Sequence, residues 1–194
     1  MVFPAGILQW PFFDPNADDA INYGAIGMVI AHELTHHFDD EGSKFNKEGN
    51  LDNWWTPKDK AAFEERAKGL VEQFNRYELY DTHIDGKLTL GENIADLGGI
   101  AIAFDAYQRS LQGKERHILD GFTAEQRFFL GYAQVWRGKQ RKETVLQWLV
   151  TDPHAPDIFR VNSPLSNTPE FYKAFNVCEI NEMFHSAKER VKIW

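Results

Sequence analysis

His32-Glu33-Leu34-Thr35-His36 sets two imidazoles four residues apart with a carboxylate beside the first, following the apolar run Met28-Val29-Ile30-Ala31. On a helix, residues i and i+4 share a face one turn apart, so both rings can reach one ion. Zinc suits the pair: neutral imidazole nitrogens bind it at about 2.0–2.1 Å, and a catalytic site needs only three protein ligands and one open position. Glu33 lies too far round the helix to ligate easily, but it can take a proton from a water beside the ion, the role of a general base. The alternative is a polar helix face buried without an ion. It would leave two histidines and a glutamate among aliphatic side chains with no partner for their polar atoms, which is costly.

A third ligand must come from elsewhere, and Gly91-Glu92-Asn93-Ile94-Ala95-Asp96 offers it. If this stretch opens a helix, Glu92 and Asp96 lie on one face. Glu92 can then ligate while Asp96 accepts a hydrogen bond from the non-ligating nitrogen of a zinc histidine. Acids so spaced are more often a helix-dipole partner and a surface residue. Here Gly98-Gly99 together with Ile94, Leu97 and Ile100 indicates close packing on another helix, which turns the acids inward.

The elements that must hold these groups are mainly helical. The metal motif belongs to a helix from about Asn22 to His37. Thr56 as N-cap and Pro57 at the first helical position open a second helix, with Phe63, Ala67, Leu70, Phe74 and Tyr77 on its apolar face, expected to run to about Tyr80. A third covers about Glu92 to Leu111, and a fourth runs from the capping box Thr123-Ala124-Glu125-Gln126 through Trp136. The stretches from Lys44 to Asn50 and from Thr82 to Lys87 read as short extended or turn segments, so little sheet is expected. Thr151 to Pro169 contains Pro153, Pro156, Pro164 and Pro169 and reads as an ordered loop.

No repeat or linker divides the 194 residues, and the hydrophobic content of 43% can furnish one core. The net charge of −8, without a Lys/Arg-rich run, speaks against nucleic acid as a partner. No apolar stretch approaches the roughly 20 residues of a membrane span. The single cysteine, Cys178, excludes an internal disulfide.

Val2 to Gln9, Tyr23 to Gly27 followed by Val29 to Glu33, Gly91 to Asp96, and Asn176 to Trp194, in this order, resemble blocks of a known family. It is the neprilysin and endothelin-converting-enzyme family of zinc metallopeptidases. The resemblance implies a thermolysin-like zincin catalytic domain holding one zinc ion through His32, His36 and Glu92, with Glu33 as base. It implies that Asp96 orients His32 and that Asp39 orients His36. His154, in Asp152-Pro153-His154-Ala155-Pro156, matches the histidine that donates to the transition-state oxyanion. Arg160 matches the arginine that hydrogen-bonds the substrate backbone on the primed side. Without the resemblance, His154 reads as a loop histidine and Arg160 as a surface charge.

The family's specificity pocket maps to Ile7, Phe12, Met28, Val29, Val135 and Trp136, which implies small-peptide substrates cleaved on the amino side of large apolar residues. The resemblance also implies a capping domain and a substrate-binding edge strand N-terminal to these residues. The family's usual ending is Cys-Arg-x-Trp, whereas this sequence reads Val191-Lys192-Ile193-Trp194. The expected partner of Cys178 is therefore missing, which points to a bacterial member.

Overall fold

The computed structural model describes Met1–Trp194 and is almost entirely helical. Helical backbone begins with α1 (Asp19–Asn22), widens into a π turn at Tyr23–Gly27, continues as α2 (Met28–Thr35) and tightens into a 3-10 turn at His36–Phe38. The motif helix thus starts three residues earlier than its periodicity indicates. Gly24 sits where a Cβ would meet the Phe128 carbonyl oxygen at 2.0 Å, so this turn packs backbone to backbone on a later helix.

Helix α3 (Pro57–Phe74) opens as its capping residues require, with the Thr56 hydroxyl accepting from the Asp59 amide at 3.2 Å. It stops about one and a half turns before Tyr80. The Asn75 side chain accepts from the Gly86 amide, and the Ile84 amide donates to Tyr77 O, which draws the chain back on itself. The return forms a two-stranded hairpin, β1 (Glu78–Leu79) and β2 (Thr82–His83), turned by Tyr80 and Asp81 at positive φ.

Helix α4 (Leu90–Ser110) is the centre of the fold. Its Ile94 and Leu97 enter one core with Phe63, Leu70 and Phe74, while its Ile100, Ala103 and Tyr107 enter a second with Met28, Phe128 and Tyr132. Its first half, as far as Ile100, is covered on nearly every side, whereas Ala101, Ile102, Asp105 and Arg109 of its second half face solvent. Its partners include α3, α2 and, through the second core, α5 (Ala124–Val135), which begins with the full Thr123/Gln126 capping box.

The proline-containing segment corrects its sequence reading. In place of a loop from Thr151 to Pro169 there is α6 (Lys142–Thr151), a short connection, then α7 (Asp157–Asn167) and α8 (Pro169–Phe175). Pro156 caps α7 and Pro169 opens α8, both places where a missing amide does no harm. Pro164 lies inside α7 and cannot donate to the Arg160 carbonyl one turn back. That oxygen instead accepts from the Tyr132 hydroxyl of α5, so the helix survives its proline.

Candidate metal centre

Helices α2 and α4 meet at glycine. A Cβ on Gly99 would lie 2.9 Å from His32 N and 3.0 Å from His32 Cα, and one on Gly98 would meet the Thr35 side chain at 2.7 Å. This close approach brings His32 of α2 and His36 of the 3-10 turn that follows it against the first turn of α4. His32 Nε2 and His36 Nε2 lie 3.1 Å apart, and Glu92 Oε2 lies 3.2 Å from the former and 3.7 Å from the latter. Tetrahedral zinc with ligands at about 2.0–2.1 Å requires ligand-to-ligand edges of about 3.3–3.4 Å. The three edges, 3.1, 3.2 and 3.7 Å, lie within about 0.4 Å of that spacing.

The outer nitrogens decide what the inner ones can do. His32 Nδ1 lies 2.8 Å from Asp96 Oδ1, and His36 Nδ1 lies 2.7 Å from Asp39 Oδ2. Asp39 is hydrogen-bonded to His36 Nδ1, and Asp96 lies within ion-pair distance of His32 Nδ1 without a well-directed hydrogen bond. A carboxylate on the outer side of each ring favours the proton at Nδ1 and leaves Nε2 with its lone pair inward. Two lone pairs and a carboxylate oxygen then converge on one point, which is repulsive unless a cation occupies it. Glu92 Oε2 is buried and receives no properly directed hydrogen bond, as expected of a metal ligand. The donor set and its spacing fit zinc.

Protons feel the same anionic field. Burial pulls the His32 pKa down, but Asp96 and Glu92 outweigh it and push it up to about 9. His36 is raised chiefly by Asp39. Burial would raise Glu92, yet contacts with His154 and His32 hold it well below the usual carboxylate range. Asp39 is lowered despite burial, by His36 and by the amides of Gly42 and Glu41.

Glu33 is half-buried, with no ion pair or hydrogen bond to its carboxylate, which leaves a free base beside His32. His154 stands at the edge of the centre, its Nε2 3.2 Å from Glu92 Oε2. Asp152, to which sequence reasoning gave no role, accepts from the His154 amide at 2.8 Å and contacts His154 Nδ1 at 2.7 Å. The acid-x-His spacing was a usable signal for this ring-orienting contact. Arg160 lies beneath the site, buried, and not on the surface. Its Nε and Nη2 form a two-point ion pair with Asp96, both at 2.8 Å, and its guanidinium sits 4.0 Å from the Trp136 ring centroid. Asp96 thus ties Arg160 to His32.

The six residues mapped to a specificity pocket are less uniform. Met28 is fully buried in the second core and offers no surface. Ile7, Phe12, Val29, Val135 and Trp136 are partly exposed, and of these Trp136 is held to the site through Arg160.

A mainly helical zincin-like domain with a His-His-Glu centre is the class that this fold and geometry define. The family model described as Peptidase family M13 matches residues 1–191. The chain is 47% identical to Neprilysin-1 of Caenorhabditis elegans, over 100% of this chain and 26% of that protein. It is 42% identical to Endothelin-converting enzyme 1 of Rattus norvegicus, again over 100% of this chain and 26% of that protein. Among solved structures it is similar to Mycobacterium tuberculosis zinc metalloprotease Zmp1 in complex with inhibitor, with a TM-score of 0.97 and 48% identity over 99% of this chain and 30% of that one. PepO from Lactobacillus rhamnosis aligns with a TM-score of 0.88 and 38% identity over 99% of this chain and 29% of that one. The chain belongs to peptidase family M13. It spans about a quarter of the length of the curated relatives it matches.

Proposed function

We propose that these residues form the catalytic portion of a zinc-dependent endopeptidase or oligopeptidase acting on small peptides, with one zinc held by His32, His36 and Glu92. The observation that carries this reading is the triangle of inward-facing donors, with a carboxylate on the outer nitrogen of each imidazole. When bound, zinc supplies Lewis-acid polarisation and makes water a nucleophile near neutral pH. Glu33 accepts the proton of the attacking water and hands it to the departing amine. His154, oriented by Asp152, donates to the carbonyl oxygen as it becomes an oxyanion. Asp96 and Asp39 keep the ligand imidazoles in the binding tautomer. Arg160 uses Nε and Nη2 on Asp96, which leaves Nη1 for a substrate carbonyl. The exposed parts of Val135 and Trp136 support cleavage on the amino side of large apolar residues.

Elemental analysis of never-chelated protein, run beside a peptide-cleavage assay, tests the proposal. One zinc per chain with turnover is expected, and a chain purified without metal and unable to take it up refutes the reading. The chain's share of its relatives favours a second reading, in which zinc binds but turnover requires the N-terminal capping domain of a longer parent. Zinc-replete protein that does not cleave, beside a longer form that does, would select it.

A further inference from the structure

A cavity of about 230 Å³ opens where Asp152, His154 and Arg160 border the centre, and most of its lining, from Gln140 and Val145 to Asp157, is used by neither the metal nor the proposed chemistry. Its apolar wall comes from Val145, Trp148 and Leu149 of α6, with Ala155 behind. Trp148 is a large aromatic ring left 44% exposed on this wall. The rim carries two carboxylates, Asp152 and Asp157. Asp152 uses only Oδ1 on His154, and Asp157 uses only Oδ2, which accepts from Gln140 Nε2 at 2.8 Å. Each therefore keeps one oxygen free. Gly138 makes room for this arrangement, since a Cβ there would lie 2.5 Å from Asp157 Oδ2. Arg160, the one arginine or lysine of the lining, is already matched by Asp96, and His154 by Asp152 and Glu92. The basic residues Arg137, Lys139 and Arg141 of the preceding loop and Lys142 at the start of α6 are exposed and line none of the cavity.

An apolar wall ending in an exposed indole and two free carboxylate oxygens suits a long aliphatic stem with a cationic head. Such stems lie along apolar surface while the charge stays at the rim, and an indole face attracts a cation. A purely apolar side chain would fill the wall but leave the acidic rim unmatched. We propose that this cavity is a second side-chain subsite, which takes an arginine or lysine of a peptide lying across the metal centre. The cavity touches His154 and Arg160, so its occupant belongs to that peptide and not to a separate ligand. The peptide assignment rests on the function proposed above, whereas the cavity's preference for a cation can be tested without it.

The experiment has two arms, both on the zinc-loaded chain. In the first, Trp148 Nε1–H is followed by NMR, assigned through Trp148→Phe, while N-acetyl-argininamide or N-acetyl-leucinamide is added. The arginine amide should shift this resonance saturably, leucinamide should not, and Asp157→Asn should weaken arginine binding about fivefold to tenfold, as for a hydrogen-bonded charge at a partly exposed site. In the second, peptides identical except for Arg, Lys, Leu or Glu at one position near the scissile bond are compared by kcat/KM. The Arg-to-Leu ratio should exceed unity at one position and fall about fivefold to tenfold in Asp157→Asn. A Trp148 resonance indifferent to the arginine amide, or responding equally to leucinamide, overturns the subsite. Absent turnover with an intact NMR response would instead count only against cleavage by this chain on its own and would leave the subsite standing.

Discussion

Gly99→Ala tests the claim that a glycine contact between helices sets the metal geometry. The added methyl would lie 2.9 Å from His32 N, 3.0 Å from its Cα and 3.2 Å from its Cβ. Comfortable carbon contacts need about 3.5–4.0 Å, so the helices must part by about 0.5 Å. His32 backbone lies inside α2 and cannot rotate aside, so α2 moves as a body, away from the helix that carries Glu92 and Asp96. The 3.2 Å edge from His32 to Glu92 and the 2.8 Å contact from His32 to Asp96 both stretch. A site of this kind tolerates only about 0.5 Å. Zinc affinity should therefore weaken about 10–100-fold, the range seen when support behind a ligand is lost. Overpacking costs about 1–3 kcal/mol, but replacing a helical glycine by alanine offsets about 1 kcal/mol of it. The metal-free protein should thus lose no more than about 2 kcal/mol. Chelator competition reads the zinc Kd, and urea unfolding of the metal-free protein reads the stability. Gly98→Ala is the control, since its methyl meets Thr35 side-chain atoms that can turn away, and its loss of affinity should be smaller. A Gly99→Ala protein with wild-type zinc affinity would refute the reasoning.

Four further outcomes are expected. Glu33→Gln should abolish turnover and keep zinc, while His36→Ala should lose the metal, both read by cleavage assay and metal analysis; equal loss of zinc would make Glu33 a ligand. His154→Ala should lower kcat by about 10²–10³ with little change in KM, and equal changes in both would remove it from the oxyanion. Because the His32 pKa rises from 6.5 to about 9 in the metal-free fold, its contribution to stability is complete below pH 6.5 and is lost as pH climbs through 9. Zinc must displace that proton, and at the lower end of the window the proton of the raised His36 as well, so apparent zinc affinity should strengthen by at least about tenfold per pH unit up to pH 9, which calorimetry in buffers of different ionisation enthalpy would check. Tyr132→Phe leaves the buried Arg160 carbonyl without its donor and should cost about 1–3 kcal/mol in urea unfolding; an unchanged midpoint would mean that Pro164 is accommodated by other means.

The sequence by itself determined whatever depends on near neighbours. Two imidazoles at i and i+4 share a face in any helix, Glu92 and Asp96 likewise, and Thr56, Pro57 and the Thr123/Gln126 box start helices through contacts within three residues. The ordered blocks supplied the family. What lay beyond it were arrangements made by partners distant in the chain. The end of α3 depends on Asn75 receiving the Gly86 amide, and the helicity of Asp157–Asn167 depends on a hydroxyl 28 residues away. Arg160, which reads as a surface charge when taken alone, is buried because Asp96, 64 residues earlier, meets it at two points. Met28, at a position mapped to the specificity pocket, is core because Phe128 and Tyr132 of α5 pack in the same cluster. Local hydrogen-bonding chemistry repeats wherever a pattern occurs, but burial and charge pairing belong to a place that exists only once the helices have packed. The candidate metal triangle needs both, since residue spacing brings His32, His36 and Glu92 onto two helix faces, and only the contact of Gly98 and Gly99 with α2 brings those faces within reach of one another.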